Sequence, residues 1–393
     1  MKRLVLFALL LAGCSSLGPS EPPPVSWGSA DFSSYVAMGT SISMGIQSAG
    51  LLDQNQLASA PAQIAKQTGA NNGTFTQPLV ATPGIPALLT ITSLQPFTLG
   101  VLPGTPPSGP YVPRPADGYD NLAISGAVVA NAIAQDAGFP YFDLVLQGHG
   151  TMLRQAIAQN PTFITVELGA TDAVVPLVRG GNLAYLIPVP AFQTQYRQLL
   201  DSLEAGAPQA KLALANVAMV TRLPYAATVP LDVPLPLGPQ GALVPVRLRD
   251  SAGGLPDDAL VLLPARALIP LGYGLPGGPP LPDSLVISSA ERTAIESAVR
   301  GFNQVIADEA HARGAALVDE FGLFERLAAQ GVSVSGVHYT FQYVTGGLFS
   351  LDGIHPSALG SALLANQFLK DIDATFGSRI PPVDLGSVSA PLP

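Results

Sequence analysis

Four short stretches bring together the residue types that acyl-transfer chemistry needs: MGTSIS at 38–43, NLAISGA at 121–127, ELGATDA at 167–173 and LDGIHPSALG at 351–360. A serine-type hydrolase requires a nucleophile, a base, a group that orients the base, and donors for the oxyanion. Ser41 follows Gly39 where an apolar run stops, so a sharp turn from strand toward helix would expose its hydroxyl. The pattern is not the G-x-S-x-G elbow, because the next glycine is Gly45. His355 is the candidate base, with Asp352 three residues earlier and Pro356 closing the turn. That spacing lets the carboxylate reach one imidazole nitrogen while the other faces Ser41. A helix start beside His355 disfavours imidazolium, and the Asp352 charge offsets it. The backbone N–H groups of Ser41 and Gly126 are candidate oxyanion donors, Gly126 allowing close approach because it lacks a side chain.

These stretches need a scaffold that gathers them. Short apolar runs at 34–38, 122–124, 162–168, 211–217 and 315–321 read as strands, with helical patterns at 57–68, 126–135, 191–204, 290–314 and 356–372 between or after them. The 290–314 segment carries acids early and His311 and Arg313 late, as the helix dipole favours. Pro356 is expected in the first turn of the last helix. Strands buried on both faces and separated by helices imply a parallel sheet covered on both sides. All strand carboxyl ends then lie on one rim, where distant stretches converge. Two Pro- and Gly-rich segments, about 72–114 and 222–283, break the rhythm. The second should emerge at the carboxyl edge of the sheet, and its apolar run LVLLPARALIPLGYGLPGGPPLP suggests a cap over the site.

Composition narrows the partners. The chain of 393 residues has 48% hydrophobic and 11% charged residues, with 40 Gly and 39 Pro breaking up the apolar runs. After the N-terminus none reaches the roughly 18–20 residues of a spanning helix. A net charge of −9 without a Lys/Arg cluster gives a nucleic-acid role no electrostatic support. His149, His311 and His338 read as structural, Asp172 as a cap and Ser43 as a helix-start hydroxyl. No His and carboxylate grouping has metal-ligand spacing, so neither a metal nor another cofactor is expected. The N-terminus joins Lys2 and Arg3 to an apolar stretch and then Leu11-Ala12-Gly13-Cys14, which resembles a bacterial lipoprotein signal with its lipobox. Residues 1–13 would then be a signal peptide, Cys14 the lipidated first residue and 14–30 a Pro-rich tether. Cys14 is the only cysteine, which excludes an intramolecular disulfide.

The four stretches, in this order, resemble the blocks of the SGNH or GDSL family of serine esterases and lipases. The resemblance implies a three-layer α/β/α fold, flavodoxin-like, with a five-stranded parallel sheet in a single domain over 31–380 and a tail at 381–393. It implies Ser41 as nucleophile, Asp352 and His355 as its partners, and an oxyanion hole of Ser41, Gly126 and the residue at position 171. Two departures stand out. The family has Gly-Asp-Ser where this chain has Gly39-Thr40-Ser41, and Gly-x-Asn-Asp where it has Gly169-Ala170-Thr171-Asp172. Thr171 replaces an Asn donor with a shorter hydroxyl, and the sequence leaves open whether it reaches. Loss of one such donor typically costs about 10²–10³ in rate. The implied substrate is a carboxylic ester: a lipid, a short-chain ester or an O-acylated polysaccharide. A catalytically weakened member acting as a surface binding or envelope-assembly module is the other reading. The expected location is extracytoplasmic and lipid-anchored to the membrane, at the outer membrane if the host is Gram-negative, since Ser15 rather than Asp follows Cys14.

Overall fold

The structure, a computed structural model, describes residues 25–388 apart from 96, 139–140 and 238; the expected signal peptide and Cys14 lie outside the described residues. Four strands form its central sheet: β1 (Tyr35–Gly39), β2 (Phe163–Glu167), β3 (Lys211–Ala215) and β4 (Ala316–Val318), all parallel and adjacent in that order. Residues 120–124 extend the sheet beyond β1. There Ala37 N–H donates to Asp120 O at 2.8 Å, Leu122 N–H to Ala37 O at 2.8 Å and Ile124 N–H to Gly39 O at 3.0 Å. Counting that segment, the expected five parallel strands are present, with the second in chain order outside the first, as in flavodoxin-like folds. Both YVAMG of β1 and FITVE of β2 are buried along their whole length. This is why they read as continuous apolar runs rather than alternating ones.

Helices cover both faces. In chain order the principal ones are α1 (Ser41–Met44), α2 (Ala60–Thr68), α3 (Val129–Ala134), α4 (Met152–Ala158), α5 (Ala170–Val178), α6 (Val189–Gly206), α7 (Ser289–Arg313), α8 (Glu320–Gln330) and α9 (Ala358–Phe376). Helices α2 and α9 pack together on one face, and α3, α4, α6 and α7 on the other, giving the three-layer α/β/α arrangement. The long helices are bounded as their sequences dictate. Helix α7 starts with a Ser288/Glu291 capping box and stops at Gly314 in the left-handed region. In α9 the N-cap is Ser357, so Pro356 lies just before the cap and not in the first turn as expected; it fixes the approach to the helix rather than its first helical residue. The strand expected at 315–321 is shorter. Asp319 caps α8 and pulls Glu320 and Phe321 into that helix.

The first insertion contributes an antiparallel hairpin, Leu89–Leu94 with Phe97–Val101. The second builds a small apolar cluster of its own around Val229, Leu248, Leu255, Val261, Leu281 and Val286, with a hairpin of Asp232–Leu235 and Val244–Arg247. The two insertions meet where the Arg266 guanidinium lies 5.4 Å from the Phe97 ring centroid and 5.5 Å from that of Tyr343.

Candidate active site

Strand β1 delivers Ser41 to the carboxyl rim of the sheet, as the first residue of α1. The turn is tight: a Cβ at Gly39 would stand 2.6 Å from Ser43 Cβ and 3.1 Å from Glu167 Oε2, so only glycine fits. Thr40 is the N-cap residue of α1, yet its side chain caps nothing. Instead, Glu167 at the end of β2 does the capping from the neighbouring strand. Its carboxylate accepts hydrogen bonds from Thr40 N–H at 3.0 Å, from the Thr40 hydroxyl at 2.8 Å and from Ser43 N–H at 3.2 Å. Burial pushes the Glu167 carboxyl upward, and the bonds from Thr40 and Ser43 oppose that rise. Sequence reading gave Glu167 no role. The available signal was an acid closing an otherwise apolar strand.

Asp352 and His355 meet as their spacing suggests. His355 Nδ1 lies 2.9 Å from Asp352 Oδ2, while Asp352 Oδ1 accepts the N–H groups of Ile354 at 2.8 Å and His355 at 2.9 Å. Asp352 Oδ2 also accepts Ala49 N–H at 2.7 Å. Burial by itself would raise the Asp352 carboxyl, but the facing His355 and these donors hold it down at about 2. Asp352 is therefore ionised across the neutral range and keeps Nδ1 of His355 protonated, leaving Nε2 as the acceptor. The donor at Ala49 comes from a two-residue hairpin turn in which Ser48 (φ 50°) and Ala49 (φ 60°) both occupy the left-handed region. Ser48 is fixed by Ser350 Oγ, which accepts its N–H at 2.8 Å. Sequence reading missed this turn because neither residue is a glycine or asparagine.

The remaining candidates lie around Ser41. The N–H groups of Ser41 and Gly126 donate to no described residue, and Gly126 is exposed with φ 85°. Thr171, buried near the start of α5, lines one small cavity together with Ser41 and with Ile354, the neighbour of His355; its hydroxyl has no partner among the described residues. Neither Ser41 Oγ nor His355 Nε2 is hydrogen-bonded to a described residue, so the relay between them is not closed in this state. Catalytic hydrogen bonds are often long before substrate binds. Asp172 turns away from the cavity and accepts Val129 N–H at 3.2 Å, which caps α3 in the way Glu167 caps α1. Burial raises its carboxyl to about 7. Glu320, first residue of α8, lines the cavity of Ser41 and was also missed. It is 1% exposed and its Oε1 has no hydrogen-bond partner. Burial, and after it the Glu167 carboxylate, pushes the Glu320 carboxyl well above the ordinary range. Glu167 holds several donors and Glu320 Oε1 holds none, so of this pair Glu320 is pushed further toward its neutral form.

The arrangement provides an oriented imidazole, a serine at a helix start, and unpaired N–H groups on the strand ends flanking it. The chain is similar to several solved structures at low sequence identity. A protein of Parabacteroides merdae classed as a GDSL-like lipase is 13% identical, covering 87% of this chain and 96% of its own, with a TM-score of 0.41. An acetylxylan esterase of Geobacillus stearothermophilus is 12% identical over 86% of this chain and 93% of its own, TM-score 0.38. An extracellular lipase of Streptomyces rimosus is 15% identical over 87% and 98%, TM-score 0.38. No curated protein sequence matches. The sequence itself matches the family described as GDSL-like Lipase/Acylhydrolase over residues 35–368, from β1 to the middle of α9, and the chain belongs to that family of carboxylic ester hydrolases.

Proposed function

We propose that the protein hydrolyses carboxylic esters through an acyl-enzyme on Ser41. The observation that carries this reading is the Asp352–His355 pair at 2.9 Å, held by three backbone donors beside the strand end that presents Ser41. Ser41 Oγ attacks the ester carbonyl while His355 Nε2 takes its proton. Asp352 keeps the imidazole in the required tautomer and stabilises the imidazolium. The Ser41 and Gly126 N–H groups, with the Thr171 hydroxyl as a third donor, hold the developing oxyanion. His355 returns the proton to the leaving alcohol. Water activated by the same imidazole then releases the acid. Cys14, as a lipidated residue, would tether the enzyme to the bacterial envelope.

A second reading concerns the leaving group. A cleft of about 900 Å³ lies between the second insertion and the body of the domain, lined by Thr221, Arg222, Arg266, Arg292, Gln342 and Tyr343 among others. It adjoins the candidate active site, since Tyr225 N–H donates to Gly353 O at 2.8 Å and Tyr343 O–H to Leu351 O at 2.6 Å. These polar side chains stand beside a larger apolar wall that includes Val229, Val233, Leu260, Ile269 and Phe341, a mix that suits the hydroxylated alcohol of an O-acylated glycan and a lipid alcohol alike. The test is hydrolysis of p-nitrophenyl esters and of acetylated polysaccharide by the protein lacking residues 1–14, beside Ser41→Ala. Activity that survives Ser41→Ala would sink the acyl-enzyme reading. Acetate release from the polysaccharide at a higher kcat/KM than from the aryl ester would favour the glycan. Incorporation of labelled palmitate that disappears in Cys14→Ala would establish the tether.

A further inference from the structure

The cavity that Ser41 shares with Thr171 is small, about 30 Å³, and has a composition unlike its surroundings. Ile42, Val174, Val217, Val220, Leu223 and Phe324 are among its walls, and Glu320 is the only ionisable side chain among the lining residues. Its place in the sheet fixes what part of a substrate can enter it. Gly126 follows the edge segment on one side of β1, whereas Thr171, Val217 and Glu320 follow β2, β3 and β4 on the other side. A carbonyl oxygen drawn to the Ser41 and Gly126 N–H groups therefore directs the rest of the acyl group toward the cavity. The leaving alcohol must remain near His355 Nε2 and depart to solvent, which an enclosed apolar recess does not allow.

We propose that this cavity is the acyl pocket, that it admits acyl groups of about two or three carbons, and that Glu320 is the specificity residue at its far wall. The inference rests on Ser41 being the nucleophile and names the substrate class of that same site. Space for roughly two water-sized groups accommodates an acetyl or propionyl chain and no more without movement of Val174, Leu223 or Phe324. Chemistry adds to size. Glu320 offers an Oε1 that no described residue bonds, and a longer aliphatic chain would be pressed against it with no compensating hydrogen bond. The reaction balances as ordinary acyl transfer: the Ser41 Oγ to acyl carbon bond forms, the ester C–O bond breaks, and the Ser41 proton leaves with the alcohol through His355. Water reverses the first bond and yields the short carboxylic acid.

The experiment uses the full chain in detergent with p-nitrophenyl acetate, propionate, butyrate, hexanoate and octanoate, for wild type, Val174→Ala, Val174→Phe and Ser41→Ala. Expected is a fall in kcat/KM of about tenfold or more between propionate and hexanoate. Val174→Ala should move the optimum toward butyrate, and Val174→Phe should depress even acetate by about tenfold or more. A flat profile, an optimum at octanoate, or a profile that neither Val174 variant moves would overturn the pocket while leaving Ser41 intact as nucleophile. Should the Val174 variants misfold, the wild-type profile decides alone. Hydrolysis undiminished in Ser41→Ala, or no hydrolysis of any ester together with no covalent Ser41 adduct from a fluorophosphonate, would instead overturn the reading beneath it.

Discussion

Glu167 offers the sharpest test of how the nucleophile turn is held. Glu167→Ala removes a carboxylate that accepts Thr40 N–H at 3.0 Å and Ser43 N–H at 3.2 Å. Both donors lie in a buried site, and an unsatisfied buried donor costs about 1–3 kcal/mol, so a loss of about 2–6 kcal/mol in stability is expected. The catalytic effect follows from geometry: Ser41 sits between those two anchors, and a displacement of about 1 Å is enough to cost about 10²-fold in rate. We therefore expect kcat to fall about 100-fold with KM little changed. Thr40→Asp alone should also harm the enzyme. It sets a second carboxylate against a buried one, and an extra proton or an open turn must result. The double variant is decisive. Asp at the N-cap accepts the N3 amide, which in α1 is Ser43 N–H, so Thr40→Asp with Glu167→Ala restores the cap from within the turn. Activity should recover at least tenfold over Glu167→Ala, measured as kcat/KM on p-nitrophenyl acetate, with circular dichroism to verify folding. If the two single losses simply multiply in the double variant, Glu167 does not act through the turn and the reasoning fails.

Three further outcomes follow from the same geometry. Thr171→Val removes the hydroxyl proposed as the third oxyanion donor at nearly unchanged volume, and kcat on p-nitrophenyl acetate should fall by about 10²-fold; an unchanged kcat would mean that Thr171 donates nothing to the oxyanion. Asp172 is raised to about 7 by burial, from an ordinary 3.8. The folded state thus keeps a proton that the unfolded chain has released, and this contribution is full below pH 3.8 and lost as pH rises to 7. About 4 kcal/mol is at stake. Asp172→Asn, which cannot titrate, should gain on wild type between pH 4 and 7.5 in urea midpoints, and equal pH slopes would contradict the assignment. Ala49→Gly keeps the N–H that holds Asp352 and relieves a left-handed alanine, so denaturant unfolding should show a gain of about 1 kcal/mol; a loss would mean that Ala49 is not strained.

Sequence made visible what local chemistry dictates. The parallel sheet was legible because β1 is apolar throughout and β2 is apolar and β-branched up to its closing acid, and the Asp352–His355 pair because three residues and a proline define one turn. Helix α7 announced itself by its early acids and its late His311 and Arg313, and the structure adds the capping box and Gly314 that set its ends. What remained hidden depends on contacts between segments far apart in the chain. The Glu167 cap spans 127 residues to Thr40, and the Ala49 donor spans 303 residues to Asp352. Helices α5 and α8 escaped notice for a related reason: one begins with the block residues themselves, and the other overlaps the end of the expected fifth strand. Glu320 looked like the tail of a strand, and only the fold turns it toward Ser41's cavity.

The departure at Thr40 acquires a meaning once register is considered. In the β1–β2 ladder Gly39 is paired with Glu167, so the carboxylate arrives beside Thr40 because the strands are aligned at that step and no other. A slip of two residues would carry it away by about 6.6 Å, well beyond hydrogen-bonding reach. The position of Ser41 is thus set by strand pairing, where an acid at position 40 would have set it within the turn. The same rim gathers Asp172 and Glu320, two more acids that burial pushes toward their neutral forms. Three buried carboxyls around one serine tax stability most where pH is high and all would ionise. Each does something a hydrophobic residue could not: Glu167 caps α1, Asp172 caps α3, and Glu320 puts the one ionisable side chain into the cavity proposed for the acyl group.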